Sequence, residues 1–174
     1  MTLLTSLILL GFLALTLGCL PEPGAINLAR RGEASQDSQY MSDNMGHASN
    51  AIDGNKNTDY YKGSCAHNHY GTISWWKVDL KEVYKITTVI ITNRLDCCPE
   101  RLLGAEIRIG NSKDNNNPVC AKVTALSNGT LTYCCKEMEG QYISVVMPDR
   151  PEWLTLCEVE VYGKPIGKPF QTCY

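Results

Sequence analysis

Six stretches of this chain set apolar side chains at every second position or in short β-branched runs, and that period limits the fold more than any other feature. They are residues 74–80 (SWWKVDL), 86–92 (ITTVIIT), 105–109 (AEIRI), 131–133 (LTY), 142–147 (YISVVM) and 156–162 (LCEVEVY). Successive side chains of a strand point to opposite faces, so each stretch covers a core with one face and leaves the other to water or a second layer. No window of 11 or more residues carries an apolar stripe at helical spacing, which confines helix to a turn or two, around residues 50–52. Six or more short strands between Gly, Asn and Pro turns predict an all-β antiparallel sandwich such as a jelly roll. In that architecture the strands are committed to packing, and binding chemistry falls to loops at one end.

The 174 residues carry 16 Lys+Arg against 18 Asp+Glu, a formal net charge of -2. That balance lacks the basic footprint of a domain that grips nucleic acid or an anionic membrane through phosphates. Residues 3–17 contain no charge and no Pro, and Thr16 and Gly18 occupy the small-residue positions a signal peptidase prefers, so residues 1–18 read as a secretory signal. A missing basic n-region leaves a signal-anchor helix as the alternative, although the run falls short of the ~20 apolar residues a bilayer requires. Lipid modification of Cys19 is a lesser third reading, because Thr16 stands where a lipobox places Leu. PEPG at 21–24 and GKPIGKP at 163–169 bracket the fold, giving a linker at 19–26, a domain at 27–162 and a tail at 163–174. No membrane insertion is expected of the mature domain.

Nine cysteines, with neither a CxxC nor a Cys/His pair at zinc-finger spacing, point to disulfides in an oxidising compartment rather than to a metal cluster. The sequon Asn128-Gly129-Thr130 agrees with that compartment. Adjacent Cys97 and Cys98 would take separate partners in a strand, whereas in a turn they can close on each other.

Loops at 42–71, 93–101 and 112–118 are rich in Asn, Asp, Gly, His or charge. In the second, Arg94, Asp96 and Arg101 fall within eight residues. Two guanidinium groups can converge there while the acid between them fixes one fork, a geometry suited to vicinal hydroxyls. Charge spacing alone nevertheless favours a solvated turn with an incidental ion pair. Residues 50–55 (NAIDGN) form an oxygen-rich turn in which Asp53 offers a carboxylate, Asn50 and Asn55 offer carbonyls, and Gly54 permits the bend.

His67, then 26 residues, then Arg94-Leu95-Asp96, then four residues, then Arg101, is the spacing that marks the F-type lectins, or fucolectins. The chain resembles that family also at 27–36, 48–55, 61–65, 75–80, 90–94 and 156–161, most of the mature sequence. The resemblance implies an eight-stranded jelly roll with short helical turns, secreted, in which His67, Arg94 and Arg101 rise from loops and donate hydrogen bonds to a terminal α-L-fucose. A site made of donors alone suits the sugar's ring oxygen and axial hydroxyl, and a sugar without that hydroxyl leaves donors unpaired at roughly 1–3 kcal/mol each. Binding is then expected to vary little between pH 7 and 9, since His67 need not be charged to donate. Asp96, Tyr61 and the pair Cys97–Cys98 are implied as supports of the site, with a vicinal disulfide against the apolar C5–C6 side of the sugar.

The same resemblance implies a structural Ca2+ held by Asn50, Asp53, Asn55, Ser64, the carbonyl of Cys157 and the carboxylate of Glu158. It implies disulfides Cys65–Cys157 and Cys120–Cys134, which leaves Cys19, Cys135 and Cys173 outside the pattern, with Cys135 either meeting Cys173 or staying free. It implies fucosylated glycans as partners, recognition of microbial or host surfaces in innate defence, and a homo-oligomer, a trimer by family habit. Some members carry Arg-Gly-Asp where this chain has Arg94-Leu95-Asp96, so no integrin motif is present.

The resemblance describes a binding protein, not an enzyme. A glycosidase would need two carboxylates about 5–9.5 Å apart across the scissile bond, and Asp96 and Glu100 both look like partners for arginines. A discoidin-like adhesion module would present apolar loop tips, whereas these are charged and Asn-rich. Trp75 and Trp76, neighbours in a strand, face opposite sides and are expected to pack rather than to form a sugar-stacking platform.

Overall fold

The computed structural model describes residues 19–40 and 45–167. The expected signal at 1–18 and Cys173 therefore lie outside the described residues. Eight strands carry the fold: β1 (Glu33–Gln36), β2 (Ala66–His67), β3 (Ser74–Thr92), β4 (Glu106–Gly110), β5 (Val119–Lys122), β6 (Thr130–Met147), β7 (Thr155–Leu156) and β8 (Glu158–Pro165). Short 3-10 turns at Leu28–Arg31, Ala48–Ile52, Tyr60–Lys62 and Pro99–Leu102 connect them. The all-β antiparallel expectation holds, and the second of these turns covers the residues where helix was expected.

Two long strands organise both layers. The first half of β3 pairs with β1 and with the second half of β6, which also pairs with β4; β5 lies beyond β4 at the edge. The second half of β3 pairs with β8 and with the first half of β6. The crossover comes at a register shift between Asp79 and Tyr84, where Lys81 has φ 69°, and a second register shift follows between Ile86 and Thr88, opposite which Lys136 and Glu137 have φ 50° and 59°. The left-handed residue Lys81 marks the bend from one layer to the other, and Lys136 and Glu137 form a bulge further along β6. Gly140 near that bend is obligatory: a Cβ there would lie 2.6 Å from the backbone nitrogen of Gly110.

Segments 74–80 and 86–92 are thus halves of one bent strand, as are 131–133 and 142–147. Segment 156–162 breaks at Cys157 into β7 and β8, and β8 runs on to Pro165, three residues past the expected domain end. Strands β1, β2 and β5 were not evident in the sequence, because they are short and β1 and β5 carry little apolar alternation.

The core lies between the layers, built from Val78, Ile86, Val89, Ile91, Ile107, Ile109, Ile143, Val145, Val159 and Val161, all at most 1% exposed. Each such side chain contributes about 1.5–3 kcal/mol of transfer free energy. Trp76 joins this core and its indole N–H donates to the Ala48 carbonyl at 2.9 Å. Trp75, half-buried on the other face, lies under the Lys77 ammonium at 4.9 Å. Trp76 packs in the sandwich as expected, whereas Trp75 lies outside the core, which corrects the expectation for that residue.

Four disulfides are formed among the described residues: Cys65–Cys157, Cys97–Cys98, Cys120–Cys135 and Cys19–Cys134. The first two agree with the resemblance, and the expected Cys120–Cys134 pairing is corrected. Strand alternation buries Cys135, where Cys120 from β5 reaches it with Cα atoms 5.2 Å apart. Cys134 instead faces the N-terminal segment. It pairs in register with Thr88, whose hydroxyl donates to the Cys19 carbonyl at 2.6 Å and so sets Cys19 beside it. The expected linker therefore begins with an anchored residue. Cys65–Cys157 and Cys19–Cys134 close loops of 92 and 115 residues, and each contributes on the order of 4–5 kcal/mol in the chain-entropy model.

Candidate functional site

Local chemistry fixes each side chain at the loop end of the sandwich. Asp59 caps the turn Tyr60–Lys62 by accepting from the Tyr61 amide at 3.0 Å, and Gly63, at φ 72°, ends it. Tyr60 is thereby buried and Tyr61 exposed. After β3, the Asn93 side chain accepts from the Arg94 amide at 2.9 Å and donates to the Pro99 carbonyl at 3.0 Å, bracing the loop across its width. Cys98, at φ 55°, leads into Pro99 at the start of the next turn, where buried Leu102 is the anchor and Arg101 projects.

His67, Arg94 and Arg101 open together onto one cleft of about 220 Å³, walled by Tyr40, Tyr60, Tyr61, Cys97 and Trp153. The structure thus assembles the three residues that the spacing singled out, with Tyr61 and Cys97 beside them. Cys98 sits one step behind as the disulfide partner, and Asp96 stands behind Arg94.

Arg94 is held tightly. Its Nε and Nη2 donate to Asp96 at 2.9 Å and 2.6 Å, and its guanidinium carbon lies 4.8 Å from the Tyr60 ring and 5.8 Å from that of Tyr61. Asp96 also accepts from the Tyr60 amide at 3.0 Å. The Arg94 guanidinium holds the Asp96 carboxyl below the usual carboxylate range, and Asp96 in turn raises Arg94.

Arg101 is held more loosely. Its side chain is 26% exposed, its Nε stands 3.9 Å from Glu152 Oε1, and its guanidinium lies 4.4 Å over the Trp153 ring. Glu100, expected as an arginine partner, is exposed and enters no ion pair among the described residues, which corrects that expectation. Glu152 takes the place, and it also stands 3.5 Å from Arg150 Nε.

His67 is 2% exposed, with its ring stacked on Tyr40 at 4.6 Å and edge-on to Tyr60 at 5.1 Å. Its Nδ1 lies 2.8 Å from the Asn68 carbonyl. A carbonyl only accepts, so the bond assigns the proton to Nδ1 and leaves Nε2 of the neutral ring as an acceptor. Burial lowers the pKa to about 4 against the pull of that hydrogen bond, and the charges of Arg94, Arg101 and His69 lower it too. The expectation of a site made of donors alone is corrected: at neutral pH two guanidinium groups stand beside one imidazole acceptor.

Sequence reasoning missed Tyr40, Tyr60, Glu152 and Trp153. Tyr60 alone carried a local signal, since an Asp cap and a Gly stop flank a two-tyrosine turn.

The residues expected around a cation lie in the neighbourhood of the Cys65–Cys157 disulfide. Glu158 is fully buried; its Oε2 accepts from the Gly54 amide at 3.1 Å, and its Oε1 has no hydrogen-bond partner among the described residues. Burial pushes its pKa up to about 7, with Asp53 and Glu160 adding repulsion. Asp53 accepts from the Asn55 amide at 2.7 Å, Asn50 donates to the Cys65 carbonyl at 3.4 Å, and Ser64 donates to the Asn57 carbonyl at 2.6 Å. No group of three or more His, Cys, Asp or Glu side chains converges among the described residues. The oxygens here come instead from two carboxylates together with amide, hydroxyl and carbonyl groups.

A sandwich with a loop-borne cleft at one end is the class that family comparison returns: residues 50–145 match the NedA-like, galactose-binding domain. Over 142 residues the chain is 50% identical to Fucolectin-3 of Anguilla japonica, an alignment covering 78% of each. The chain belongs to the fucolectin family. Among solved structures it resembles the F-lectin from the serum of the striped bass, Morone saxatilis, with TM-score 0.77 and 44% identity over 83% of this chain and 50% of that one. It therefore spans half the length of that lectin. It also resembles a Streptococcus pneumoniae fucose binding module, with TM-score 0.70 and 32% identity over 79% of this chain and 97% of that one.

Proposed function

We propose that this chain is a secreted, calcium-containing lectin whose cleft holds a terminal α-L-fucose without altering it. The convergence of His67, Arg94 and Arg101 on one cleft of monosaccharide size carries the reading. Arg94 and Arg101 donate to sugar oxygens, while Nε2 of His67 accepts from a hydroxyl. A hydroxyl both donates and accepts, so a mixed set selects a sugar over a simple anion. An epimer that misplaces one hydroxyl leaves a partner unpaired at roughly 1–3 kcal/mol. The Cys97–Cys98 disulfide and the Tyr61 ring supply an apolar wall for the sugar's methyl side. Two carboxylates near the cleft, Asp96 and Glu152, stand against Arg94 and Arg101, which supports binding over hydrolysis.

Asn50, Asp53, Asn55, Ser64, the Cys157 carbonyl and Glu158 would hold Ca2+ as a structural ion. The unpartnered Glu158 Oε1 supports this, because a buried carboxylate oxygen requires a proton or a cation. Bound there, Ca2+ would supply the charge that neutralises Glu158 and Asp53. The disulfides, and names such as fucolectin among its relatives, support secretion and a role in recognising fucosylated surfaces. One shallow monosaccharide site binds weakly, which supports a homo-oligomer, in the family manner a trimer, to gain avidity.

Chromatography of the mature protein on immobilised L-fucose tests the reading. Free L-fucose elutes it and D-glucose does not, Arg101→Ala passes straight through while keeping its circular dichroism, and fucosides are not turned over. A chelator lowers the unfolding temperature first and retention as a consequence. An unretained unaltered protein ends the lectin reading, and an unchanged melting curve in chelator ends the calcium reading alone.

A further inference from the structure

Beyond the cleft, the segment ahead of β3 is fastened to the segment ahead of β7. The Glu152 amide donates to the Gly71 carbonyl at 3.1 Å, the Ser74 hydroxyl donates to the Glu152 carbonyl at 2.7 Å, and the Asn68 amide donates to the Leu154 carbonyl at 3.2 Å. This fastening sets the ring of Tyr70 against that of Trp153, with centroids 4.6 Å apart and planes inclined by 54°. Trp153 is a wall of the cleft, with the Arg101 guanidinium over its ring. Tyr70 does not line the cleft; it is 55% exposed and continues the aromatic surface outward from Trp153. Tyr61, the other strongly exposed ring of this region, lines the cleft itself and faces Arg94, so it belongs to the first sugar.

We propose that Tyr70 and the adjoining part of Trp153 form a second carbohydrate subsite, which takes the apolar face of the sugar to which the terminal fucose is joined. Pyranose rings carry C–H bonds on one face, and these pack against the negative face of an aromatic ring. A half-exposed ring held by backbone hydrogen bonds on both flanking segments meets such a face without first being ordered. The subsite depends on the fucose reading of the cleft and adds to it a selectivity among fucosylated glycans, exercised through Tyr70, which does not line the cleft.

Titration calorimetry of the full mature protein with methyl α-L-fucoside and with a panel of fucosyl disaccharides tests this. The best disaccharide binds about three- to tenfold more tightly than the monosaccharide, the range expected of one aromatic contact. Tyr70→Ala brings that ratio to about one, and Tyr70→Phe keeps it. Saturation-transfer NMR on the unaltered protein shows transfer to the C–H protons of the second sugar, a readout that does not depend on the variants folding. An unchanged ratio in Tyr70→Ala, equal loss in Tyr70→Phe, or no transfer to the second sugar overturns the subsite while leaving the fucose site intact. A change of oligomeric state in Tyr70→Ala assigns the ring to a subunit contact and overturns it too. Failure of the unaltered protein to bind methyl α-L-fucoside removes the underlying reading, and the subsite with it.

Discussion

Arg94 and Arg101 reach the same cleft, one from the end of β3 and the other from the turn Pro99–Leu102, yet their surroundings differ in kind. Arg94 has a side chain only 9% exposed, a two-pronged bond to Asp96 and an aromatic ring beneath its guanidinium. Arg101 is 26% exposed, rests over Trp153, and faces a carboxylate at a distance too long for a hydrogen bond. The contrast teaches where ordering entropy is spent. Folding immobilises Arg94, so the ligand meets a fork already aimed, whereas Arg101 surrenders about 0.5–1.5 kcal/mol of side-chain freedom only when it binds.

Breaking the tight side produces the larger effect. Arg94→Ala removes a nearly buried guanidinium with its two-pronged bond to Asp96 and its contact with the Tyr60 ring, and the fold loses about 1–2 kcal/mol. Arg101→Ala removes a half-exposed cation and one cation–ring contact, and loses about 1 kcal/mol or less. Both variants lose fucose retention. Urea unfolding followed by tryptophan fluorescence measures the difference, and equal losses of stability would erase the distinction between the two arginines.

His67 sharpens the comparison through pH. The unfolded imidazole takes its proton near pH 6.5, whereas the folded one stays neutral down to about 4. Between those values the unfolded state binds more protons, so stability present above pH 6.5 is lost as the pH falls toward 4. The loss is about 3 kcal/mol for this one group. The groups that face the ring and contribute charge are Arg94, Arg101 and His69, while Tyr40 and Tyr60 pack on it. Comparing the unaltered protein with His67→Gln isolates the effect from other titrations: the pH 7 to pH 4 drop is smaller in the variant by that amount. An identical drop in both proteins shows that His67 does not take part. Fucose affinity stays flat from pH 9 to about 5, because the neutral acceptor persists throughout.

The contrast between the arginines also marks what was legible in the sequence. The Arg94–Asp96 pair is local, two residues apart on one loop, so charge spacing offered an ion pair there, without saying which arginine the acid would hold. The Arg101–Glu152 neighbourhood joins residues on either side of β6, and no local pattern foretells it; Glu100, the near acid, was the natural and mistaken choice. Cys134 and Cys135 show the same limit. Alternation says that adjacent cysteines on a strand face apart, but which one meets Cys120 depends on which face β5 approaches and on where Cys19 is held. The fold class was legible because the halves of β3, the second half of β6 and β8 carry apolar alternation or β-branched runs. The bend of β3 and the bulge of β6 were not, since a lysine or glutamate gives no local sign of the positive φ found at Lys81, Lys136 and Glu137. The donor-only description of His67 failed for a different reason: a ring's tautomer is set by its second nitrogen, and the carbonyl of Asn68 becomes its partner only in the folded chain.

The smallest expected effect comes from Glu152→Gln, and it decides whether the loose arginine is loose by design of its surroundings. Glu152 stands 3.9 Å from Arg101 and 3.5 Å from Arg150, and its Oε1 accepts from the Trp153 amide at 3.1 Å. Glutamine keeps a carbonyl oxygen for that amide, so the segment carrying Trp153 keeps its shape while the negative charge disappears. If Glu152 only competes for the Arg101 guanidinium, removing its charge frees the donors, and fucose affinity rises by up to about threefold, within the 0.2–1 kcal/mol typical of a weakly coupled ion pair. If instead Glu152 aims Arg101 as Asp96 aims Arg94, affinity falls tenfold or more in calorimetry, and the two sides of the cleft are alike after all.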